Sequence, residues 1–149
     1  MVQFAIQTHV AATPKKTWGV IRDFGNVANY ADGLKASRQT TEGDVCVGAE
    51  RICDFHKPMM GKSQLHERVT EFDDKAMVLG VDILGGMGPF KTMRGTFRLQ
   101  KEGKGTLITF EQVADGGLMA KLMGGMAKGK LRKELTGFLD DVKTYVESQ

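Results

Sequence analysis

Two segments between Val45 and Val69 each place one charged residue on an otherwise apolar strand face, and this constrains the fold more than any other feature of the chain. In the first, Val45, Val47, Ala49, Arg51, Cys53 and Phe55 take the odd positions, while Glu50, Asp54 and His56 make the even positions mostly polar. In the second, Leu65, Glu67 and Val69 share a face and Gln64, His66, Arg68 and Thr70 take most of the other, because strand side chains alternate sides. Arg51 and Glu67 therefore point with the hydrophobes. A charge in an apolar interior is costly unless paired or solvated, so the pattern predicts a polar spot inside an apolar cavity. If the hairpin loop spans residues 56–62, the constant index sum of antiparallel partners sets Phe55 opposite Ser63 and Arg51 opposite Glu67. A register shifted by two leaves the charges as diagonal neighbours, still within reach. The plainer meaning of such a pair is a buried ion pair that fixes strand register; the functional one makes Arg51 the anchor for a carboxylate or carbonyl on a mostly apolar ligand.

With 149 residues, the expectation is one domain, residues 1–149, large enough to bury a core without disulfides or metals. Its 41% hydrophobic and 26% charged residues fit an ordinary globular protein. A net charge of +3, with basic and acidic residues interleaved over most of the length, argues against a nucleic-acid partner. The start of the chain lacks the basic, apolar and small-residue sections of a secretory signal, and no apolar run reaches membrane-spanning length, so a cytoplasmic protein is expected. Cys46 and Cys53, read as parts of one strand, stand roughly 23 Å apart at ~3.3 Å per residue. They cannot bond to each other and are expected as reduced thiols.

Along the chain, Phe4, Ile6 and Val10 alternate with polar residues in a first strand ending near Ala12. Thr13-Pro14 opens a helix as N-cap and first helical residue, with Trp18, Ile21 and Phe24 at near-helical spacing and a second helical turn or loop over 23–30. From Leu34 to Ala114, six strands are separated by turn chemistry at 42–44, 57–62, 73–75, 85–89 and 103–105. After Asp115-Gly116-Gly117, Leu118, Leu122, Met126, Leu131, Leu135, Phe138, Leu139, Val142 and Val146 recur with helical period. A curved antiparallel sheet gripping that last helix buries every apolar face.

Other candidates carry weaker patterns. Met77, Leu79, Val81 and Ile83 form a wholly apolar face expected to wall the same cavity. Between Phe90 and Leu99 both faces mix types, and a bulge at Gly95 would exchange them, so the direction of Arg94 is open. Glu111 is equally open between a solvated carboxylate and a cavity group. His9, His56 and His66 have no metal-binding spacing and are expected at the surface, with no metal and no cofactor implied. Gly85-Gly86-Met87-Gly88-Pro89 lacks the following helix of a phosphate loop and is expected as a hairpin tip. Near the start of the last helix, Met119, Met123 and Met126 lie beside Gly124, Gly125 and Gly129. Each glycine costs a helix roughly 0.8–1 kcal/mol, so either close packing over the sheet or a flexible ligand portal is expected in return. Pliable methionines suit a wall that meets variable apolar ligands, which brings Met119, Leu122, Met123 and Met126 into the candidate site. Lys121, Lys128, Lys130, Arg132 and Lys133 precede the first acid, Glu134, giving either a solvated face or a patch that approaches an anionic membrane.

Thr13-Pro14 through Val20 with Trp18, then Asp23-Phe24-Gly25-Asn26, Val47-Gly48-Ala49-Glu50-Arg51, Glu67-Arg68-Val69, Phe72-Asp73-Asp74 and Gly95-Thr96-Phe97 resemble the START or birch-pollen-allergen-like superfamily. Within it the chain is most similar to bacterial members of the polyketide cyclase/dehydrase and lipid-transport group. The resemblance implies an α+β helix-grip fold: a curved, seven-stranded antiparallel sheet around a long C-terminal helix, with two short helices after the first strand. It also implies that the 85–89 tip borders the cavity mouth. Ligand-contacting positions of the plant hormone-receptor branch fall on Phe55, Glu67, Val81, Phe90, Thr92 and Glu111, and Tyr30 stands at an entrance position where many relatives carry tryptophan. That branch's gate motif is replaced here by Lys57-Pro58-Met59-Met60, so hormone reception is not implied.

Three functions compete. The first is binding or transport of a lipid, polyketide or terpenoid-like molecule. The second is a cyclase or dehydratase in which Arg51 stabilises an enolate and Glu111 acts as base, since an arginine partner makes Glu67 a poor one. The third is a membrane-docking or partner-binding accessory protein. A monomer and a homodimer are equally compatible with the sequence.

Overall fold

The computed structural model describes residues 1–123 and 125–149. Strand β1 (Val2–Val10) leads into α1 (Pro14–Arg22), whose N-cap Thr13 accepts a hydrogen bond from the Lys16 amide at 3.2 Å. A 3₁₀ helix (Phe24–Asn29) follows, then β2 (Leu34–Gln39), β3 (Glu50–Met59), β4 (Lys62–Asp73), β5 (Val78–Ile83), β6 (Thr92–Glu102) and β7 (Gly105–Asp115), and finally α2 (Gly117–Ser148). All pairings are antiparallel, in the order β1-β7-β6-β5-β4-β3-β2, so the first strand closes beside the last and β2 forms the far edge. This is the expected strand, short helices, six strands, long helix. No helix is long and apolar enough to cross a membrane among the described residues.

The core lies between the inner face of the sheet and α2. Ile6, Val10, Val69, Leu79, Leu99 and Ile108 from the strands meet Leu131, Leu139, Val142 and Val146 from the helix, and Trp18, Ile21 and Phe24 close one end.

Several local expectations are corrected. Val45 to Gly48 is not strand: β3 starts at Glu50, Gly48 has φ 96°, and Val47 and Cys46 are exposed. The two cysteines therefore do not share a strand, and both are free. The β3–β4 hairpin is tighter than a 56–62 loop, with Met60 and Gly61 at positive φ between paired Met59 and Lys62. A register shift between Asp54 and Met59 absorbs the difference. No bulge interrupts β6 at Gly95; both its ladders run straight through, so Arg94 faces outward and pairs with Asp82 at 2.6 Å. Gly95 serves another purpose, because a Cβ there would lie 2.4 Å from the Phe110 ring. In α2, a Cβ at Gly125 or Gly129 would meet nothing within 4 Å, so close packing is not what those glycines serve. Gly124 lies outside the described residues.

Candidate functional site

A cavity of about 420 Å³ separates the sheet from α2, within the ~300–1,000 Å³ range of small-molecule sites. The strands contribute Phe55, Leu65, Val81, Ile83, Met93 and Phe97, with Phe110 beside them, and α2 contributes Leu131, Leu135 and Phe138. Phe97 anchors two of these surfaces, meeting Phe110 edge-on at 4.8 Å and Phe138 at 5.9 Å between ring centroids. Exposed Asp32, Gly33, Glu134 and Gly137 mark where the chamber meets solvent. Asp141 sits among them and accepts a hydrogen bond from the Asp32 amide at 3.0 Å. Burial raises its carboxyl above the ordinary aspartate value, with that amide opposing the shift.

Inside, the polar spot is built on β3 and β4. Arg51 pairs directly with Glu67 in the strand register, and Arg51 Nε donates to Glu67 Oε1 at 2.9 Å. Arg51 Nη1 donates to the Phe24 carbonyl at 2.9 Å, and its guanidinium carbon lies 4.2 Å from the centre of the Phe24 ring. Burial disfavours the Arg51 charge, but Glu67, with Cys53 and Tyr30 beside it, more than compensates and holds its pKa above the usual arginine value. The Cys53 thiol lies 3.6 Å from Glu67 Oε1. Burial pushes that thiol up to about 12, Arg51 opposing and Glu67 reinforcing the shift. Only a thiolate attacks disulfide reagents readily. One thiol, exposed Cys46, is therefore expected to react quickly with an aromatic disulfide at pH 8 in the native protein, and two after unfolding. Two rapid equivalents in the folded state would contradict this burial.

The other positions expected in the site divide. Arg51, Phe55, Glu67 and Val81 line the cavity. Tyr30 is buried behind the wall, its ring 6.1 Å from Phe138 and 5.5 Å from Tyr145, and burial raises its phenol above the usual value. Phe90 is also buried but belongs to the turn after β5, where it exchanges backbone hydrogen bonds with Met87; the neighbouring Met87 is the member of that turn that reaches the chamber. Thr92 is exposed at the start of β6. Glu111 is corrected from a cavity group to an outer-face one: it pairs with Arg98, which also lies 4.0 Å from Glu71, in a half-solvated network across neighbouring strands. Met119, Leu122, Met123 and Met126 are likewise corrected. They face solvent, because among the described residues this part of α2 turns only Ala120 and Ala127 inward and the helix meets the cavity from Leu131 onward.

One nearly fully buried polar wall residue escaped the sequence reading, as did the acids Asp32, Glu134 and Asp141 nearer the opening. Gln112 is only 3% exposed and lines the cavity from β7. Its signal was parity: Ile108, Phe110 and Ala114 share its face, and all are buried.

A seven-stranded antiparallel sheet, helices after the first strand and a long closing helix over a cavity define the Bet v 1-like helix-grip class. Solved structures agree with this. TTHA0849 from Thermus thermophilus superposes with a TM-score of 0.78 at 14% identity, covering 99% of this chain and 98% of that one. Ara h 8.0201 gives 0.78 at 14% identity over 99% of this chain and 99% of that one, and a protein from Nitrosospira multiformis gives 0.72 at 14% over 96% and 94%. At that identity the likeness concerns the fold alone. The chain belongs to the family described as polyketide cyclase / dehydrase and lipid transport, which matches residues 1–147. A comparison with curated proteins finds no match.

Proposed function

We propose that this protein binds or carries a small, mostly apolar molecule in the chamber between sheet and α2. The observation that carries the reading is a cavity of about 420 Å³ between sheet and helix, walled mostly by apolar side chains and holding one buried ion pair. The family description, which includes lipid transport, supports it. The two free thiols fit a cytoplasmic setting. A cyclase mechanism has less to work with: Glu111 stands on the outer face and Glu67 is engaged by Arg51 and Cys53. Native mass spectrometry with a neutral apolar probe, N-phenyl-1-naphthylamine, tests the proposal. Uptake of one probe per chain is expected, and no uptake at saturating probe would refute it.

A second activity is favoured by the exposed stripe at the start of α2. Leu118, Leu122 and Met126 recur every four residues, Met119 and Met123 lie beside them, and all five are solvent-exposed. Five cations, Lys121, Lys128, Lys130, Arg132 and Lys133, accompany them with no acid between Asp115 and Glu134. An apolar stripe accompanied by cations suits shallow insertion into an anionic bilayer. The protein is expected to sediment with vesicles containing phosphatidylserine and not with phosphatidylcholine alone. Leu122→Glu/Met126→Glu is expected to abolish this; equal sedimentation with both vesicle types would remove the electrostatic part.

A further inference from the structure

We infer that the chamber selects an uncharged apolar molecule carrying a hydroxyl group, and rejects a carboxylate of the same length. This rests on the ligand-binding reading above and specifies the head group that the site takes.

Three observations converge on it. First, the charge of Arg51, the one cation on the lining among the described residues, is already balanced. Arg51 is paired with Glu67 at 2.9 Å, both residues are buried, and Arg51 also serves the Phe24 carbonyl and ring. An incoming carboxylate would meet the attraction of Arg51 and the repulsion of Glu67 together. With the two nearly cancelling, nothing offsets the loss of the anion's own hydration.

Second, the remaining charged groups on the lining are Asp32, Glu134 and Asp141. All three are acids near the opening, so an anion approaches against them. Third, the cavity offers an acceptor that lacks a donor. Gln112 is nearly fully buried, and its only side-chain hydrogen bond among the described residues runs from Nε2 to the Val113 carbonyl at 3.1 Å. Only the nitrogen can donate to that carbonyl, which fixes the orientation of the amide and leaves Oε1 unpaired. A carboxylate has no hydrogen to give it, whereas an alcohol or phenol does. Arg51 Nη2, which makes no hydrogen bond to the protein among the described residues, remains for a ligand oxygen as acceptor.

Displacement of bound N-phenyl-1-naphthylamine at pH 8 by 1-decanol, decanoate and decylamine tests the inference. Decanol is expected to displace the probe at about tenfold lower concentration than decanoate, since only the alcohol gains a hydrogen bond without a buried charge. Decylamine is expected to be weaker than decanol. Gln112→Leu removes an acceptor without orphaning another side chain, so the protein should fold, and its decanol affinity is expected to fall about fivefold further than its probe affinity. Equal or tighter binding of decanoate in the wild type would overturn the inference, as would decanol and probe affinities that change by the same factor in Gln112→Leu. Decylamine binding more tightly than decanol would also overturn it, by moving the head group to the acidic opening. Failure of the probe itself to bind would instead strike the underlying ligand-binding reading.

Discussion

Glu67→Leu is expected to lower the unfolding free energy by about 3–5 kcal/mol, because it strands the Arg51 charge in a buried site. Arg51→Met/Glu67→Leu is expected to return to within about 2 kcal/mol of the wild type. Removing both charges eliminates the desolvation cost, while the Phe24 carbonyl loses the donor it takes from Arg51. Urea denaturation of the four proteins in this cycle gives the coupling directly. Loss of about 1 kcal/mol or less in Glu67→Leu would mean that the pair is reached by water and is not the buried ion pair described.

The second large effect concerns binding. Val81 and Leu135 line the chamber from opposite elements, β5 and α2, so Val81→Trp/Leu135→Phe adds atoms to unoccupied space rather than to packed core. Stability is expected to change by no more than about 2 kcal/mol, in either direction. Affinity for the naphthylamine probe is expected to fall by at least about a hundredfold, because that probe and the two aromatic rings compete for one volume. A probe that binds the filled variant as tightly as the wild type is bound somewhere else.

How much of this was visible in the sequence depends on what surrounds each residue. Arg51 and Glu67 were legible in direction, because each interrupts an apolar face with polar neighbours on the other side, whereas their register stayed open between a direct and a diagonal pairing until β3 and β4 were seen to adopt the direct one. Val81 and Ile83 followed from the same rule. Only part of the first apolar face was strand, however: a turn can bury Val45 and expose Val47 without breaking their odd-numbered alternation.

Glu111 and Gln112 were harder. Their strand carries Thr109, Glu111 and Val113 on one face and Ile108, Phe110, Gln112 and Ala114 on the other, with a polar residue on each. The resemblance to a hormone-binding branch favoured Glu111, whereas its cross-strand partner Arg98 draws it outward, and such a partner is visible only once β6 and β7 are in register. The methionines of α2 failed for a different reason. Helical spacing identifies a stripe but not what it faces, and here the inward stripe is the inconspicuous Ala120, Ala127 and Leu131.

That exposed stripe also offers apolar probes an alternative place to bind, so stoichiometry alone does not locate a ligand. Intermolecular nuclear Overhauser effects between bound N-phenyl-1-naphthylamine and methyl-labelled protein locate it. The account predicts contacts to the methyls of Val81, Ile83, Leu131 and Leu135, which line the chamber. Contacts confined to Leu118, Met119, Leu122 and Met126 on the outer surface of α2 would contradict it.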